Sequence, residues 1–148
     1  MPTDKPSQSP GPVAKSPLPN KPPTAPTEVL DLETEARQLR AERAYGEHGQ
    51  SAKTLVKHEH FRVVLIALQA GRRCREHQAE ESLSVQTVAG HVNIHRSSQD
   101  AIDLPRGCVL TLAPGLAHDI EALEDSTLLL TMAWTGHHDE RRDPQRTH

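Results

Sequence analysis

The chain has 148 residues, 34% hydrophobic and 25% charged, with a formal net charge of -3, a length that holds one domain and little more. It has no basic stripe and only one Phe, one Tyr and one Trp, so it lacks the charge footprint and stacking residues of a nucleic-acid binder. No stretch approaches the roughly 20 apolar residues that span a bilayer, and the N-terminus has no apolar signal-peptide core, so a cytoplasmic protein with no membrane partner is expected.

Nine of the twelve prolines fall within residues 1–27. Such a segment buries too little apolar surface to offset its ordering entropy, which predicts a disordered, partly polyproline-II tail. Residues 19–22 and 23–26 fit P-x-x-P, as almost any chain this rich in proline would.

The character changes at residues 28–50. Leu32, Ala36 and Leu39 recur at helical spacing between Glu and Arg, with Thr34 as a capping residue. The pattern predicts one short amphipathic helix over 33–45, ended by Gly46.

From residue 51 to 135 the period is that of strands. Runs at 54–56, 61–68, 83–88, 92–95, 109–112, 118–122 and 127–134 are punctuated by Gly71, Gly90, Gly107 and Gly115. Many short strands with regular glycine turns predict an all-β sandwich or barrel. With so few aromatic residues, its core must be Val, Leu, Ile and Ala. Residues 62–68 and 128–134 are apolar on both faces, so the face turned away from the core needs cover from the helix or from a second subunit. Cys74 and Cys108 form no disulfide framework or C-x-x-C motif and are expected as small buried or half-buried apolar residues in a reducing compartment, a functional thiol being the alternative. Residues 136–148 form a polar tail.

Two glycine-and-histidine patterns stand in order within the β region. Gly71 is followed by His77, and that pattern closes on Gly90; Gly107 opens a second, which continues through Ala113 and Gly115 to His118. Their spacing resembles the two motifs of the cupins, G-x5-H-x-H-x3–4-E-x6-G and G-x5-P-x-G-x2-H-x3-N, over residues 51–135. The resemblance implies a small, RmlC-like single-domain cupin: a double-stranded β-helix, or jelly-roll, barrel.

In a metal-bearing cupin, two histidines and a glutamate of the first motif join the histidine of the second around one ion. Carried onto this chain, those positions are His77, Ala79, Leu83 and His118, and the final asparagine is Ala122. Two of the four ligands remain. Imidazoles with a carboxylate suit Fe, Mn, Ni or Zn, but Leu83 replaces the one anionic donor with a branched apolar group, and Val85 and Thr87 share its face. His77 and His118 then have three readings: structural histidines bonded to backbone, polar handles in a ligand pocket lined by Leu83 and Val85, or an atypical divalent transition-metal site with Glu80 or Glu81 as substitute carboxylate. His58 and His60 precede the first motif and are expected at the surface. His91, Asn93 and His95 alternate with Val92 and Ile94 and predict a polar outer strand face. His137 and His138 fall in the tail.

A cupin fold does not fix a function. Three classes are expected: a small-molecule binding or regulatory module using the barrel interior, a metal-dependent oxygenase or isomerase with an atypical site, and a structural barrel with a filled interior. A barrel of about 85 residues buries only about 60% of its unfolded surface, so a homodimer through an outer sheet face is expected. Deleting residues 1–26 should leave the thermal midpoint almost unchanged, because no native contacts are lost. A drop of many degrees in a melting experiment would mean that the segment packs on the barrel.

Overall fold

Strands that are apolar on both sides must lie between two packed layers, and that requirement organises this chain. The computed structural model describes residues 25–76, 80–96 and 101–134. The proline-rich segment up to residue 24, His77, Ala79, the turn expected at 97–100 and the C-terminal tail with His137 and His138 lie outside the described residues.

Two short helices, α1 (Leu32–Arg40) and α2 (Arg43–His48), precede nine strands among the described residues. In chain order these are β1 (Gln50–His58), β2 (Phe61–Leu68), β3 (Arg73–Glu76), β4 (Ser82–Ala89), β5 (His91–Arg96), β6 (Ala101–Pro105), β7 (Val109–Leu112), β8 (His118–Ala122) and β9 (Ser126–Ala133). They pair antiparallel into a five-stranded sheet, β1-β2-β9-β4-β7, and a four-stranded sheet, β3-β8-β5-β6. The two sheets face each other as a jelly roll, the fold class that the sequence predicts.

Strand alternation builds the interior. On β4, Leu83, Val85 and Thr87 are buried while Ser84 and Gln86 are only half-buried, and β5 and β8 alternate in the same way. Leu68, Val85, Leu112 and Leu128 from the first sheet meet Val92, Ile94, Leu104 and Ile120 from the second in one core. The buried Thr87 hydroxyl donates to the Leu104 carbonyl oxygen at 3.0 Å, so it carries no unsatisfied polar group into that core.

A second core lies outside the barrel. Ala36 and Leu39 of α1 and Tyr45 of α2 pack on Leu55, Val56, Leu65 and Ala67, with Leu129 at the edge. The helices therefore cover the outer apolar face of β2 and part of β9, and a second subunit is not needed to do so. A bulge between Thr54 and Val56 in β1 lets the adjacent Leu55 and Val56 both face the helices, as an extra unpaired residue in a strand allows.

The helical region departs from the sequence expectation. Asp31, not Thr34, is the N-cap: its carboxylate accepts from the backbone amides of Glu33 and Thr34, at 3.1 and 3.3 Å, and from the Thr34 hydroxyl at 2.9 Å. Those hydrogen bonds, the Thr34 hydroxyl first, hold the Asp31 carboxyl below its ordinary value. The single helix expected over 33–45 is two. Glu42 is extended, with φ -77 and ψ 151, and accepts the Ser51 hydroxyl at 2.7 Å. This contact with β1 marks the break, after which α2 carries Tyr45 into the second core. Gly46 lies within α2, and the stop is Gly49, whose φ of +77 is left-handed.

Two strands lie outside the sequence expectation. β3, with three charged residues of four, exists through its pairing with β8, and β6 is an edge strand ending on Pro105, where a missing N–H costs no ladder bond. Cys74 is half-buried against the core, whereas Cys108 is exposed, contrary to the expected burial; neither forms a disulfide. Among the described residues no helix is long and apolar enough to cross a membrane.

Gly90 is the only residue between β4 of one sheet and β5 of the other. Its φ is +88, and a Cβ there would overlap the Asp125 carbonyl oxygen and the Ser126 side chain. Gly107 has a similar φ of +86 but open space around it. Gly90→Ala should cost on the order of 3 kcal/mol, from left-handed strain plus overpacking, and Gly107→Ala about 1–2 kcal/mol from strain alone. Denaturant unfolding of the two variants checks this, and equal losses would refute the close-approach account.

Candidate functional site

Side chains on the inner faces of the strands form layers across the barrel. In the five-stranded sheet one layer is Val64, Leu130, Val85 and Leu110, all apolar. The layer at the end of that sheet is Arg62, Met132, Leu83 and Leu112. In the facing sheet, the residue at the same end is His118, in register with Arg96 of β5 and Glu76 of β3. The chain order requires the two ends to coincide, because β3 leads into β4 through 77–81 and β7 leads into β8 through 113–117. A polar end therefore closes a barrel whose deeper layers are apolar.

His118 is only 2% exposed. Its Nδ1 lies 3.3 Å from the Leu116 carbonyl oxygen, and a carbonyl can only accept, so Nδ1 carries the proton. In the neutral ring that leaves Nε2 as an acceptor, and Nε2 is buried with no partner among the described residues. An unpartnered buried polar atom costs about 1–3 kcal/mol.

The end of β2 supplies more such atoms. Arg62 is half-buried, and its Nε is shielded from water without a hydrogen bond. Its guanidinium carbon lies 5.5 Å from the centre of the Trp134 ring, within cation–π range. The Trp134 backbone N–H donates to the His60 carbonyl oxygen at 3.2 Å, tying the residue after β9 to the β1–β2 turn. His60 lies at the surface in part, its side chain 36% exposed. Both its ring nitrogens are buried and without a hydrogen bond, its Nε2 standing 3.8 Å from the Glu59 carboxylate. His58 is exposed as expected.

The remaining candidates sort as follows. Leu83 belongs to the end layer and Val85 to the layer beneath it, at 4% and 0% exposure, both in the main core. Glu80 is exposed and already has an interaction partner, and Glu81 is half-buried. His77 lies outside the described residues. His91 and His95 stand on the outer face, His91 Nε2 2.6 Å from Asp103 and His95 Nε2 2.8 Å from Glu121. These cross-strand pairs occupy both histidines structurally.

A resident metal ion does not fit the described residues. One donor, His118 Nε2, is buried and unpartnered among them, and no three His, Cys, Asp or Glu side chains among them come together. A groove of about 440 Å³ runs over the outer side of β9, β4 and β7, lined by Ser82, Ser84, Thr111, Thr131 and Ala133 among others. It holds no titratable group. Sequence reasoning missed Arg62, Trp134 and His60 because the first two sit in runs read as apolar and the third in a turn; the signal available was the single arginine opening an otherwise apolar strand.

No family model matches this sequence, and no curated protein matches it. Solved structures do. An RmlC-like cupin from Desulfovibrio desulfuricans is 25% identical over 64% of this chain and 91% of that one, with a TM-score of 0.56. The cupin domain of Cnp3 from Schizosaccharomyces pombe is 17% identical over 65% of this chain and 72% of that one, with a TM-score of 0.58. A point mutant of salicylate 1,2-dioxygenase from Pseudoaminobacter salicylatoxidans is 14% identical over 70% of this chain, which spans only 34% of the dioxygenase, with a TM-score of 0.63.

If His118 Nε2 is unpartnered in the folded chain, an apolar side chain should be better tolerated there than the imidazole. His118→Leu should raise stability by about 1 kcal/mol, read as a rise of a few degrees in thermal midpoint. A fall of about 2 kcal/mol or more would show that the ring has a structural partner.

Proposed function

We propose that this chain, an RmlC-like barrel of the cupin type, is a small-molecule binding module whose ligand seats at the polar end of the barrel against His118. One observation carries the reading: a histidine that is 2% exposed keeps a ring nitrogen with no partner among the described residues. Unpaired groups of this kind in a folded protein call for a partner that arrives from outside. A few convergent polar groups on an otherwise apolar wall are also the usual composition of a ligand pocket.

A ligand seated there contacts Leu83 and Met132 on one sheet and His118 on the other. Val85, one layer deeper, backs the site without touching solvent. The filled-barrel reading is supported by the apolar packing of the deeper layers, yet that packing leaves the polar end unexplained.

The second reading is a metal-dependent enzyme, and one feature favours it. A histidine that donates Nδ1–H to a backbone carbonyl presents Nε2 as metal-binding histidines do. Against it stands Leu83, which supplies bulk and no charge at the carboxylate position. The likeness to a dioxygenase, at 14% identity, carries the fold and no substrate.

Labelled protein titrated with a fragment mixture should show His118 ring and Leu83 and Met132 methyl resonances moving together, and His118→Leu should abolish the response. Shifts confined to the outer groove around Ser84 and Thr131 would refute the site. Zn, Mn or Ni should leave the thermal midpoint nearly unchanged. A gain of about 2.7 kcal/mol at a hundredfold excess over the dissociation constant would put the enzyme reading first.

A further inference from the structure

Four buried side-chain nitrogens lack a hydrogen-bond partner among the described residues: His60 Nδ1, His60 Nε2, Arg62 Nε and His118 Nε2. All four belong to the same end of the barrel. From that coincidence we infer that the ligand is a small carboxylic acid, its carboxylate held by the Arg62 guanidinium and its body lying along the end layer toward His118. The inference rests on the binding-module reading above and adds the chemical class.

Arg62 is the group that selects an anion. It stands on the inner side of β2, in line with Val64 and Ile66 and opposite Met132. Among the described side chains, no ion pair with a carboxylate engages it. A long cationic side chain normally carries its charge out to water, whereas Arg62 keeps Nε shielded and rests its guanidinium on Trp134. Stacking fixes the plane of the fork and leaves its N–H edges free, the geometry that engages a carboxylate through two parallel hydrogen bonds. Trp134 is itself held by the His60 carbonyl, so the platform is built before any ligand arrives.

His118 makes the orientation one-way. With Nδ1 committed to the Leu116 carbonyl, Nε2 of the neutral ring accepts and does not donate, so it repels a carboxylate and welcomes an O–H or N–H. The anion therefore lies on Arg62, and a donor elsewhere on the same molecule reaches His118. Between them Met132, Leu83 and Leu112 form an apolar floor, which suits a carbon skeleton.

The test uses the full chain and three acids, benzoate, phenylacetate and hexanoate, each beside its primary amide. Affinity is measured by calorimetry, and contact by the His118 ring resonances. At least one acid should bind tenfold or more tightly than its amide. Arg62→Gln should weaken that acid roughly ten- to a hundredfold, the scale of a charged hydrogen bond, and leave the amide unchanged. Arg62→Lys, which keeps charge and stem but loses the fork, should fall between, and it serves as the second variant if Arg62→Gln folds poorly. Equal affinity for acid and amide, or an acid preference that survives Arg62→Gln, overturns the carboxylate assignment. In that case amide binding lost in His118→Leu would leave the barrel-end site standing. If neither acids nor amides move the His118 resonances, the site and the assignment fall together.

Discussion

The structure depends on β2 and β9 being buried on both faces. Ile66, Leu68, Leu128 and Leu130 point into the barrel, while Leu65 and Ala67 point out against α1 and α2, with Leu129 at the margin. A solvated outer face would expose this apolar surface to water at a cost of about 25 cal/mol per Å². The helices are thus part of the barrel's stability and not an appendage to it. Their placement explains the Asp31 cap, the break at Glu42 and the bulge in β1, since each serves to lay Leu39 and Tyr45 on the strands. Lys53 of β1 and Glu35 of α1, 2.7 Å apart, mark the same contact at the surface, where a partly exposed pair adds little energy.

Along the barrel axis, stability and binding chemistry separate. The layer of Val64, Leu130, Val85 and Leu110 is wholly apolar, and Thr87 one step deeper is satisfied by the Leu104 carbonyl. The end layer, by contrast, mixes Arg62 with Met132, Leu83 and Leu112 and faces His118. Unpartnered nitrogens collect only there among the described residues. A fold of this size has a net stability of only several kcal/mol, so a group of orphaned atoms is an appreciable burden. Packed layers beneath can carry that burden, and a ligand that satisfies the atoms would relieve it.

The histidines illustrate how position decides chemistry. On β5, His91 and His95 point outward and meet Asp103 and Glu121 across neighbouring strands, where they steady the sheet. His118 on β8 points inward, one residue away from Asp119 on the opposite face, and meets nothing at Nε2 among the described residues. The same side chain is a surface strut in one parity and a candidate ligand contact in the other. A one-residue change of register would exchange those roles.

The sequence by itself determined the barrel, because alternation on β4, β5 and β8 is a local property that reads directly as inside and outside. It also placed Gly90 and Gly107 at corners, since only a residue without Cβ takes a positive φ freely, and it brought His118 and Leu83 forward as neighbours through motif spacing. The amphipathic segment before the barrel was legible as helical. What the tertiary structure alone decided are features with no local signal. β3 and β6 are strands only because β8 and β5 offer them hydrogen bonds; α1 and α2 separate where Ser51 engages Glu42. Arg62, Trp134 and His60 become one cluster because antiparallel pairing brings the start of β2 to the end of β9, a strand far along the chain. Separation in sequence hides such a cluster, since strand pairing, not spacing, sets which side chains share a layer.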